Sequence, residues 1–160
     1  MSTNLNDSTP AAPANSQNVK WQTDGSGNAS AYVPNGPALL PGADLLTQAA
    51  NISATDLVAS GDVTGGMYEI SIYIIVTQAA SSTSTMPSVS ITWTDADNIT
   101  GQTITATATS SGNLLTTYAQ ARVTVDARNG FAIQYATASY ASSGGTPMQY
   151  ALHIRVSKLG

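Results

Sequence analysis

GMYEISIYIIVT, running from Gly66 to Thr77, decides how the rest of this chain is read. Its side chains alternate with period two, so Tyr68, Ile70, Ile72, Ile74 and Val76 share one face of an extended strand, and Glu69, Ser71, Tyr73, Ile75 and Thr77 share the other. Burying a large apolar side chain is worth about 1.5–3 kcal/mol, so the first face demands a second layer against it. The other face is mixed: Tyr73 and Ile75 stand where a solvated side would carry polar groups. The segment is expected to be a central strand, buried on one face against a second sheet and partly covered on the other.

Working outward, the same alternation recurs. Val89, Ile91 and Trp93 alternate with Ser88, Ser90, Thr92 and Thr94, and Ile104, Ala106 and Ala108 alternate with threonines within Gln102–Thr109. Within Thr117–Asp126, Ala119, Ala121, Val123 and Val125 oppose Tyr118, Gln120, Arg122 and Thr124. Phe131, Ile133 and Tyr135 follow the turn signal Arg128-Asn129-Gly130. In the last strand, Met148–Val156, Tyr150, Leu152, Ile154 and Val156 face inward, and Ala151, His153 and Arg155 face outward. Gln48–Ala59 reads as the first strand or strand pair. About seven strands separated by turns, with no helical period between them, predict an all-β antiparallel β-sandwich of the jelly-roll type.

The N-terminal part differs in kind. Residues 1–17 are polar, rich in Pro and Ala and without periodicity, which predicts an extended arm. Asn18–Gln22 and Ala31–Val33 flank a turn-rich segment and predict a small hairpin, whose Trp21 and Tyr32 need a surface to dock on because an isolated hairpin is unstable in water. Pro34–Gly42 reads as a linker. The expected division is therefore an arm over residues 1–42 and a sandwich over 43–160.

Composition limits the function classes. Only 9% of the 160 residues are charged, the formal net charge is −4, and the five basic residues (Lys20, Arg122, Arg128, Arg155, Lys158) are scattered. A nucleic-acid partner, which selects a basic face, is not expected. The chain has no cysteine, so no disulfide framework or thiolate metal site can form. The first thirty residues carry no apolar signal core and no stretch is long enough to span a membrane, so a product made in the cytoplasm, with no membrane partner, is expected.

Catalytic readings are weak. His153, the single histidine, lies on the outward side of the last strand beside Arg155, and abundant serines give no hint of a positioned nucleophile; a surface or interface histidine is the expected role. Asp95-Ala96-Asp97-Asn98 resembles the start of a calcium loop but lacks its glycine and terminal glutamate. Asp and Asn also make turns through their own backbone, so no metal, cofactor or catalytic residue is expected. The Asn-x-Ser/Thr triplets at Asn6, Asn28, Asn51 and Asn98 arise by chance in so Ser/Thr-rich a chain. Outward aromatics say more. Tyr73, Ile75 and Tyr118, with Tyr140, are either covered by loops or by the Asn18–Val33 segment, or they form a subunit interface, since interface cores are rich in aromatics and poor in charge.

Asn4-Leu-Asn-Asp-Ser-Thr-Pro-Ala-Ala-Pro13 and Gln17-Asn-Val-Lys-Trp-Gln-Thr-Asp-Gly-Ser-Gly-Asn-Ala-Ser-Ala-Tyr-Val-Pro34 resemble the N-terminal segments of tailed-bacteriophage structural proteins. Gly66-Met-Tyr-Glu-Ile-Ser-Ile-Tyr73 and Thr146-Pro-Met-Gln-Tyr-Ala-Leu-His-Ile-Arg-Val156 resemble trimeric phage jelly-roll domains, which are similar in outline to the tumour-necrosis-factor/C1q sandwich. The resemblance implies a homotrimer in the virion, assembled in the host cytoplasm. It implies that the arm attaches to the major capsid protein or another virion protein, with Trp21 and Tyr32 as anchors and Tyr73, Ile75 and Tyr118 between subunits. A chain of this size, with no long shaft, suits a capsid decoration protein; the alternative is a receptor-binding tip or fibre head that contacts a host receptor.

Overall fold

Strand order shows why one apolar strand organises the chain. The computed structural model describes residues 20–23, 29–32, 38–98, 101–106 and 112–159, with side chains described for 40–98, 101–102 and 112–159. In chain order the strands are β1 (Lys20–Thr23), β2 (Ala29–Tyr32), β3 (Ala38–Gln48), β4 (Thr55–Val58), β5 (Gly66–Gln78), β6 (Ser84–Thr85), β7 (Ser88–Thr94), β8 (Gly101–Ala106), β9 (Tyr118–Ala127), β10 (Ile133–Ala138), β11 (Ala141–Ser142) and β12 (Gln149–Lys158). The chain divides into two units, residues 1–36 and 37–160. In the first, β1 and β2 pair antiparallel from Lys20 opposite Tyr32 to Thr23 opposite Ala29, the hairpin expected there. The arm itself and the side chains of Trp21 and Tyr32 lie outside the described residues.

The second unit is an antiparallel sandwich of two four-stranded sheets, β3-β12-β5-β9 and β4-β10-β7-β8. Among these eight strands the first pairs with the last (β3–β12), the second with the next to last (β4–β10), and so inward through β5–β9 to the β7–β8 hairpin, with successive pairs alternating between sheets. That nested pairing is a jelly roll. β5 is central, held by β12 on one side and β9 on the other. Tyr68, Ile70, Ile72, Ile74 and Val76 are all buried, as are Tyr150, Leu152, Ile154 and Val156 of β12. Opposite them, the second sheet supplies Val89, Ile91, Trp93, Ile133 and Tyr135 to one continuous core. None of the described residues forms a helix long and apolar enough to cross a membrane.

Four local expectations need correction. The Pro34–Gly42 stretch is strand from Ala38 onward. Ala43 pairs with Ile154 and Leu40 with Val156, so Pro41 and Gly42 together oppose Arg155 in a bulge, where an edge strand tolerates proline. A Cβ on Gly42 would lie 2.1 Å from the Ile154 carbonyl oxygen, so the close approach of the two backbones requires glycine there. What looked like linker chemistry is edge-strand chemistry. Conversely, Gln48–Ala59, expected as the first strand or strand pair, holds only the last residue of β3, Gln48, and the short β4, Thr55–Val58. Phe131 precedes β10 and stays exposed, its ring under the Arg128 guanidinium in the turn that Gly130 closes at φ 80°. Tyr140 is not an outward aromatic: its hydroxyl donates to the Met148 carbonyl at 2.6 Å and its ring packs beside Tyr150.

Candidate functional site on the outer face of the β5 sheet

The register of β3-β12-β5-β9 sorts the outward residues into rows across the strands. One row is Asp44–His153–Tyr73–Gln120, one strand after another. On one side of it lies Ala151–Ile75–Tyr118, and on the other Arg155–Ser71–Arg122, followed by Ser157–Glu69–Thr124. Cross-strand neighbours on one face sit close enough for their side chains to interact, so register alone builds the site.

The central row is a connected cluster. Tyr73 stacks on the His153 ring at 6.2 Å between centroids and meets Tyr118 at 5.9 Å on its other flank. Asp44 receives two donors: Arg155 Nη2 gives to Oδ2 at 2.6 Å and His153 Nδ1 to Oδ1 at 2.5 Å. The Arg155 guanidinium first, and the His153 imidazole second, hold the Asp44 carboxyl below its ordinary range, so it is a carboxylate. Because a carboxylate only accepts, the imidazole is the donor in the His153–Asp44 contact. Arg122 lies 3.5 Å from Glu69, one row along.

Tyr73 is 37% exposed and Tyr118 52%, while Ile75 is half-buried beside Ala151, which is covered although it points outward. Leu114 and Leu115 lie in the segment that leads into β9 just before Tyr118. They stand exposed on a turn closed by the Thr117 N–H to the Leu114 carbonyl, which is joined to β5 by the Val76 N–H to the Thr117 carbonyl. Tyr73, Ile75 and Tyr118 thus share one surface. Sequence reasoning placed His153 beside Arg155 but missed Asp44, which lies more than a hundred residues from both and reaches them only through strand register.

Asp95 resolves as a turn: its Oδ1 accepts the backbone N–H groups of Asp97 and Asn98, both at 3.1 Å. Among the described residues no three His, Cys, Asp or Glu side chains converge in a way that could hold a metal.

No protein-family model and no curated relative matches the chain. Among solved structures it is distantly similar to the N-terminal modules of endo-1,4-β-D-xylanase 10B from Clostridium thermocellum in complex with xylohexaose, at 8% identity and a TM-score of 0.37 over 81% of this chain. The chain spans 25% of that xylanase chain. It is also similar to a carbohydrate-binding module of Cellvibrio mixtus lichenase 5A in complex with cellotriose, at 17% identity and a TM-score of 0.32, covering 89% of this chain and 86% of that one.

Proposed function

We propose that this protein is a tailed-bacteriophage virion structural protein, a capsid decoration protein whose sandwich trimerises through the apolar end of the β5 outer face. The N-terminal unit, residues 1–36, attaches it to the major capsid protein, with Trp21 and Tyr32 as anchors. The observation that carries the reading is the exposed Tyr73–Tyr118 pair, continued by Ile75, with Leu114 and Leu115 exposed just before Tyr118 in the chain, on a chain only 9% charged. Monomeric proteins rarely leave apolar patches open unless they bind something, and low charge suits a surface that is hidden on assembly. Binding the closed shell but not its separated subunits shifts the equilibrium toward intact particles, and three arms per trimer add avidity.

Sedimentation of the purified chain at micromolar concentration tests the assembly, with a trimer expected and a monomer refuting it. Particles lacking the protein should lose genome at lower temperature and under milder osmotic shock than complete ones. Equal resistance would remove the cementing role.

A second reading, a receptor-binding tip, draws on the loops that border the Ile75–Tyr118 end of β5. The Ala79–Met86 and Ser139–Thr146 loops are tied into one hydroxyl-rich tip by β6–β11 pairing and by Thr83–Ser143 contacts. Asn113 supports that tip from below, bonding Ala80, Ser82 and Ser84. Labelling on intact particles separates the readings: shell for decoration, tail for receptor binding.

A further inference from the structure

Beside the apolar end of the face lies a groove of different chemistry, with a volume of about 540 Å³. Its floor is Ser71, the small member of the row Arg155–Ser71–Arg122. The two arginines form its sides, roughly 10 Å apart at their backbones, two strand spacings. Tyr73, His153 and Gln120 close one end. Two of the chain's five basic residues and its only histidine therefore meet in one place, on a protein of net charge −4. Among the described residues no carboxylate lines the groove. Asp44 holds Arg155 from the β3 side and Glu69 holds Arg122 from the next row, so both guanidiniums are steadied from outside with N–H donors to spare.

We propose that this groove binds an acidic saccharide, a pyranose chain carrying carboxylates, which the arginines receive as charge-assisted hydrogen bonds. Ser71 and Gln120 offer the neutral donors and acceptors that sugar hydroxyls need, and Tyr73 offers an apolar ring. The groove crosses the middle of a sheet whose backbone groups are already paired across the strands, so a peptide cannot be added here as a further strand and recognition falls to side chains. The open shape suits a chain that runs past rather than a small molecule enclosed on all sides. The inference does not depend on trimer formation, because the proposed subunit contact lies toward Tyr118 and Ile75 and borders the groove only at Tyr73.

The test is titration of the full chain with tetragalacturonate, and with its methyl ester as the uncharged form of the same chain, followed by calorimetry and by amide shifts. Saturable binding of the acid is expected, with shifts centred on Ser71, Gln120 and Arg122. Methyl esterification, Arg122→Gln and the floor-filling Ser71→Phe should each weaken it by roughly tenfold or more, the loss of one charge-assisted contact. No binding of the acid, equal binding of the ester, or wild-type affinity in Arg122→Gln would overturn the proposal. Sedimentation of the same samples separates the two ideas: a monomer that binds keeps the groove and loses the trimer, while a trimer that does not bind does the reverse.

Discussion

The two faces of β5 are made from one strand and obey different rules. On the inner face five large side chains are almost completely removed from water, and each is fixed by neighbours from both sheets. On the outer face Glu69, Ser71, Tyr73, Ile75 and Thr77 range from half-buried to exposed, and their partners are single side chains one strand away. The inner face is therefore about folding. The outer face can change without loss of the core, which leaves it open to serve recognition.

Mutations should separate the faces cleanly. Ile72→Ala opens a cavity in the close-packed interior and should cost about 2–5 kcal/mol, read as a lower urea midpoint with an unchanged slope. If it cost under 1 kcal/mol, the inner face would not be the foundation described. Tyr73→Ser, one position along, should weaken trimer association by roughly 2 kcal/mol per contact. Its unfolding free energy in the separated chain should shift by about 1 kcal/mol or less, as expected at a site away from the core. Loss of folding with unchanged association would reverse the assignment of the two faces.

The comparison sharpens where polar groups enter the interior. Tyr150 is buried, its hydroxyl donates to the Ala50 carbonyl at 2.7 Å and lies 3.2 Å from Thr137 Oγ1, and burial raises its pKa. Tyr150→Phe leaves the carbonyl without that donor and should cost about 1 kcal/mol, measured by chemical denaturation. A neutral or stabilising result would show that water replaces the hydroxyl.

The smallest effect belongs to the outer face. Asp44 is held ionised by Arg155 and then His153, so its folded pKa lies below the unfolded one. Its contribution is complete above the ordinary carboxylate range and is lost as pH falls through the depressed folded value. Asp44 is exposed, so solvent screens the effect. Urea midpoints of wild type and Asp44→Asn should converge at acidic pH and differ slightly near neutrality, and a constant difference across that range would contradict the assignment.

Much of the sandwich was legible because period-two alternation survives wherever one face is buried: β5, β7 and β12 bury the residues that alternation selects, and β9 packs Ala119, Ala121 and Val123 half-buried against the core with Val125 buried. Legibility failed where the backbone, rather than hydrophobicity, carries the information. Pro41-Gly42 has the composition of a linker, but opposite Arg155 it is a bulge in an edge strand. Phe131 has the hydrophobicity of a strand residue, but the Asn129-Gly130 turn leaves it outside. Tyr140 follows Ser139, which takes φ 67°, and its hydroxyl bonds Met148 where alternation offered no guide. Of the outer face, the sequence identified Tyr73, Ile75 and Tyr118 as outward but not what stands beside them.

By itself, then, the sequence determined that the chain is all-β and which side of most long strands is buried. These follow from local periodicity and composition, which act on neighbouring residues. Only the tertiary structure decided that first and last strands pair, that Asp44 meets His153 and Arg155, and that Ser71 lies between two arginines. Those outcomes depend on register between strands far apart in the chain, and a shift of one residue would turn every one of those side chains to the opposite face.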